Sequence, residues 1–71
     1  MTSETQHELL KVLGELSEHW PEVRFGQLIA NLATLAKGPA VEAIWDVEDD
    51  ELLEAARRQL EVFRARSSEM V

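Results

Sequence analysis

The chain has no cysteine, which excludes disulfide staples and thiolate metal sites and fits a reducing compartment. It has no tyrosine, and two tryptophans and two phenylalanines are its only aromatics, so each ring carries a large share of any core. No apolar run approaches the roughly 18 residues needed to cross a bilayer. Met1-Thr2-Ser3-Glu4-Thr5 is acidic and polar where a secretory leader would be basic and then apolar. A cytosolic protein with no membrane partner is expected. At 71 residues it makes one domain, near the lower limit for a core without staples.

Positive charge is also scarce. Seven Lys and Arg face 14 Asp and Glu, a formal net charge of -7, which disfavours direct binding to nucleic-acid phosphates. The distribution is uneven: Glu42 to Glu54 holds seven acidic residues and no basic one, whereas Ala55 to Arg66 holds four arginines and one glutamate. That split predicts a helix with acid at its start and base at its end, as the macrodipole prefers.

What is present is helical periodicity. Ser3 and Gln6 form a candidate capping box, followed by Leu9, Val12, Leu13, Leu16 and Trp20 at helical spacing. Pro21 should stop this helix at about His19 or Trp20. Gly14 weakens its interior by about 1 kcal/mol relative to alanine, which predicts a close approach there. A second helix should begin near Glu22 to Arg24, with Phe25, Leu28, Ile29, Leu32 and Leu35 or Ala36 as its apolar stripe, and end at Lys37-Gly38-Pro39. Ala40 to Trp45 fits either a turn of helix or a short extended segment, packed on the core as a structured connector. A third helix should start near Asp46 to Asp49 and run to about Arg64, burying Leu52, Leu53, Ala56, Leu60 and Phe63. Residues 1–66 form the domain, and 67–71 are expected to fray. The expected fold is all-α, a small bundle of three main helices with a structured connector between the second and third.

Two stretches concentrate aromatic, chain-breaking and polar residues: Trp20 to Asn31 and Ile44 to Leu52. Arg24, Gln27, Asn31 and Thr34 share one helical stripe. Their donors and acceptors suit the unpaired backbone of an irregular connector. The expected structure is a lock, in which Gln27 and Asn31 tie down residues 40–46 and Arg24 meets Glu48, Asp49 or Asp50. The alternative is an exposed recognition surface. Trp20 is expected to close the first corner, and Trp45 to plug the gap between the second and third helices, both mostly buried. Gly26 would then allow a close approach.

The chemistry-bearing residues form no catalytic constellation. The acidic run Asp46, Glu48, Asp49, Asp50, Glu51 lacks the alternating oxygens, the turn glycine and the terminal bidentate glutamate of a calcium loop. Carboxylates at a helix start cap free amides without any metal. His7 and His19 lie three turns and a third apart, and neither neighbours a nucleophile. No metal, no cofactor and no enzymatic activity are expected.

The matching residues Pro21, Arg24, Phe25, Gly26, Gln27, Leu28, Ile29 and Asn31, then Val47, Glu48, Asp49, Asp50, Glu51 and Leu52, give the chain a resemblance to a group of short uncharacterised bacterial proteins. Their pattern is Pro-Asp-Leu-Arg-Phe-Gly-Gln-Leu-Ile-x-Asn followed by Phe-Tyr-Ile-Glu-Asp-Asp-Glu-Leu. The resemblance covers Trp20 to Glu54 and departs where the Phe-Tyr pair is Trp45-Asp46. It implies the lock and names no activity.

The functional expectation is a non-enzymatic accessory or regulatory factor that binds another protein. The second reading is an acidic inhibitor from a phage or mobile element whose carboxylates occupy a basic nucleic-acid channel on a host enzyme or defence complex. A nucleic-acid-binding module using Arg57, Arg58, Arg64 and Arg66 ranks third because of the net charge. A heptad-like run in the first helix leaves room for a homodimer.

Overall fold

Ser3 opens the first helix in the manner its position predicts. Its hydroxyl accepts the Gln6 backbone N–H at 3.1 Å, which satisfies one of the four free amides at a helix start. The other half of the expected capping box does not form. The Gln6 side-chain amide donates instead to the Asp49 carboxylate at 3.0 Å, far along the chain. Helix α1 runs Glu4–His19, α2 Phe25–Lys37, α3 Ala43–Asp46 and α4 Asp49–Glu69 in a computed structural model that describes residues 3–69. Among the described residues there is no strand, so the architecture is an all-α bundle of three long helices with a short one in the connector.

Helix α4 is the axis of the bundle, packing against α1 over the largest interface and against α2 over a smaller one. Its stripe of Leu52, Leu53, Ala56 and Leu60 meets Leu9, Val12, Leu13 and Leu16 from α1 and Leu28 and Leu32 from α2 in one core. Leu16, Leu28 and Leu32 are the largest fully buried side chains, each worth about 1.5–3 kcal/mol of burial. Glu8 pairs with Arg57 and Glu15 with Arg64, and each partner lies the same number of residues further along. A constant offset means that α1 and α4 run parallel. The Lys37–Glu51 pair at 3.3 Å joins the end of α2 to the start of α4. These exposed pairs are worth about 0–1 kcal/mol each, so they fix register more than stability.

The first corner is aromatic. Phe63 of α4 stacks on His19 with ring centroids 5.7 Å apart and takes the edge of Trp20 at 5.4 Å. Trp20 therefore closes the corner where expected, but half-buried. Val23 donates its N–H to the Trp20 carbonyl at 3.2 Å, a turn that delays α2 to Phe25. Gly38 ends α2 with φ 103° and donates its N–H to the Thr34 carbonyl at 2.7 Å, a backbone state that glycine tolerates best.

Several expectations are corrected. Nothing lies within 4 Å of a Cβ built on Gly14 or Gly26, so neither glycine serves a close approach. Phe25 and Leu35 of the α2 stripe are 54% and 62% exposed, because the stripe is wider than the surface α4 can cover. The connector resolves as one turn of helix, α3. Helix α4 continues past Arg64 to Glu69, since Ala65, Arg66, Ser67 and Ser68 include no glycine or proline to break it. Of the tail 67–71 expected to fray, the backbone is helical through Glu69, and Met70 and Val71 lie outside the described residues.

Candidate functional site

The lock does not form. Gln27 accepts the Arg24 backbone N–H through Oε1 at 2.9 Å, a cap at the start of its own helix. Arginine has no acceptor to complete the reciprocal bond. Thr34 returns its hydroxyl to the Ala30 carbonyl at 3.0 Å. Arg24 and Asn31 are exposed and, among the described residues, neither makes a side-chain hydrogen bond or ion pair. The stripe shares one face of α2 as periodicity required, but no backbone from residues 40–46 covers that face.

The start of α4 is self-sufficient in the same way. Glu51 accepts the Glu48 N–H through Oε1 at 2.9 Å, and Asp50 accepts the Glu51 N–H through Oδ1 at 2.9 Å. Asp49 takes the Gln6 amide. Arg24 meets none of Glu48, Asp49 and Asp50. The Glu48 N–H first, and Lys37 beside it, hold the Glu51 carboxyl below its ordinary range against the opposing effect of burial.

Trp45 is the main correction, because it is 87% exposed rather than a plug. A single helical turn can bury only one arc, and the residue that faces inward is Ala43, 5% exposed. Ile44 and Trp45 lie on its outward side, and Val41 stands in the turn just before the helix. Val41 is 88% and Ile44 47% exposed. Val47, just past the turn, packs against the core where Trp45 was expected. The result is an outward apolar ridge on α3, which packs on α2.

Acids surround the ridge in sequence. Glu42, Asp46, Glu48 and Asp50 are exposed, and among the described residues none of them has an ion-pair partner. A second feature lies between α2 and α4, a groove of about 290 Å³ lined by Leu35, Ala36, Ala55 and Val62 with Glu54 and Arg58. It adjoins a hollow lined by Trp20, Asn31 and Gln59. Among the described residues no group of acids or histidines gathers to hold a metal, and no polar or charged residue is buried.

The sequence reading missed the ridge and the groove. Ala43 was the available signal for the ridge: a small residue flanked by large ones marks the side on which a short helix approaches its neighbour. No family model, no curated protein and no solved structure matches this chain.

Proposed function

We propose that this chain is a non-enzymatic accessory or regulatory factor that binds another protein through the α3 ridge, in a cytosolic setting. The observation that carries the reading is the exposure of Trp45 beside Val41 and Ile44. Tryptophan is among the residues that dominate binding energy at interfaces, and an outward Trp adds no core stability in exchange for its exposure. The unpaired acids Glu42, Asp46, Glu48 and Asp50 favour a partner with an apolar pocket rimmed by lysine or arginine.

The same four carboxylates favour a second reading, the acidic inhibitor that occupies a basic nucleic-acid channel. The readings differ in which atoms carry affinity. Tagged wild type, Trp45→Ala and a Glu42→Gln/Asp46→Asn/Glu48→Gln/Asp50→Asn variant, each used to capture partners from the source cell, separate them. Loss of a specific partner with Trp45→Ala at unchanged thermal stability supports the ridge. A partner retained by Trp45→Ala and lost by the neutralised variant supports the inhibitor, and a partner indifferent to both refutes the site.

A further inference from the structure

The groove between α2 and α4 lies on different residues from the ridge and has different charge. Leu35 is 62% and Val62 42% exposed, over a floor that includes Ala36 and Ala55, whose small side chains permit a close approach. The charges on this side cancel: Glu51 pairs with Lys37 and Glu54 with Arg58. On a chain of net charge -7, such a paired, partly apolar face is the place where a second copy meets less repulsion than at the ridge. At the ridge, two copies would set unpaired acids against unpaired acids.

The order of charge along α4 adds complementarity. Glu51 and Glu54 precede Arg58 on the side that lines the groove. In a two-fold pair the same patch meets itself with direction reversed. We infer that this face is a homodimer interface, in which the α4 helices of two copies cross antiparallel about an axis passing between Glu54 and Arg58. Glu54 of each copy then faces Arg58 of the other, and Leu35 and Val62 of both leave water. Glu54 and Arg58 are one helical turn apart, so a two-fold between them forces this exchange. A standard interface of about 800 Å² per partner would cover about a seventh of the 5318 Å² surface.

Sedimentation equilibrium of the full chain at about 0.15 M salt tests the inference. Wild type is expected to show a monomer–dimer equilibrium, weakened about tenfold or more by Leu35→Glu or Val62→Glu without loss of helical signal. Glu54→Arg alone sets two guanidinium groups against each other across the interface, and Arg58→Glu alone sets two carboxylates together, so each should weaken self-association. Mixing these two single variants should restore dimer as a heterodimer, and the double swap Glu54→Arg/Arg58→Glu should restore it in one chain. A wild-type monomer at every concentration overturns the inference. So does a dimer indifferent to Leu35→Glu and Val62→Glu, or single variants that fail to complement on mixing.

Discussion

Replacing Trp45 by alanine is expected to leave the fold standing. A buried tryptophan removed to alanine costs about 3–5 kcal/mol, which could exceed the whole stability of so small a domain. Trp45 keeps 87% of its surface in water, so only about an eighth of a ring that can bury 150–250 Å² is covered, roughly 20–30 Å². At about 25 cal/mol per Å² that contact is worth about 0.5–0.8 kcal/mol. Alanine returns a few tenths through its higher helix propensity, so the net change should lie within about 0.5 kcal/mol. Leu16→Ala supplies the scale from the same chain: Leu16 is fully buried, and its truncation should cost about 2–5 kcal/mol.

Urea unfolding followed by far-ultraviolet circular dichroism is the assay, run at one protein concentration because self-association would shift the midpoint. Tryptophan emission adds an independent reading. With Trp45 gone, the remaining signal comes from Trp20, half-buried against Phe63, and should move to the blue. A loss above about 2 kcal/mol with an unchanged denaturant slope would mean that Trp45 docks on the body of the protein, and the α3 ridge would no longer be available to a partner.

The exposed polar stripe should respond weakly to truncation. Gln27→Ala removes a cap and should cost about 1 kcal/mol, whereas Asn31→Ala should change urea stability by less than about 0.5 kcal/mol. The Glu51 carboxyl is held below its ordinary range by the Glu48 N–H and by Lys37. It therefore stabilises the fold above the unfolded-state pKa, and that contribution disappears as pH falls through the folded value. Glu51→Gln keeps an acceptor for Glu48 but cannot titrate, so its urea midpoint should fall less steeply than wild type between neutral and acidic pH. Duplex and single-stranded nucleic acid should show no saturable binding at micromolar protein and about 0.15 M salt. Arg57, Arg58 and Arg64 already face Glu8, Glu54 and Glu15, and a steeply salt-dependent titration would refute that reading.

The long helices were legible because their apolar residues recur often enough to reveal a period. Leu9, Val12, Leu13 and Leu16 span two turns, and all four are buried. Ser3, and Gly38 after Lys37, marked ends because capping chemistry is local. The orientation of residues 41–45 was legible only through Ala43, the one small residue among them, since one turn contains no repeat and apolar composition alone cannot say which arc faces inward. The polar stripe failed for a related reason. Spacing placed Arg24, Gln27 and Asn31 on one face of α2, but the neighbour covering that face is a tertiary fact. Local hydrogen bonds instead took Gln27 into its own helix cap.

The placement of charge follows from how the bundle uses it. Arg57 and Arg64 lie two turns apart on α4 and reach Glu8 and Glu15, two turns apart on α1, so these arginines are engaged in holding the two helices in register. Lys37 is engaged with Glu51. Glu42, Asp46, Glu48 and Asp50 remain a dense group of unpaired carboxylates among the described residues, beside the apolar ridge. In the proposed complex, charge and ridge should leave separate kinetic marks on binding. Long-range attraction acts on association and is screened by salt, whereas desolvated aromatic contact acts on dissociation. Added salt should slow association with little change in dissociation, and Trp45→Ala should hasten dissociation with little change in association. Salt acting mainly on dissociation would place the carboxylates inside the contact itself, as the inhibitor reading requires.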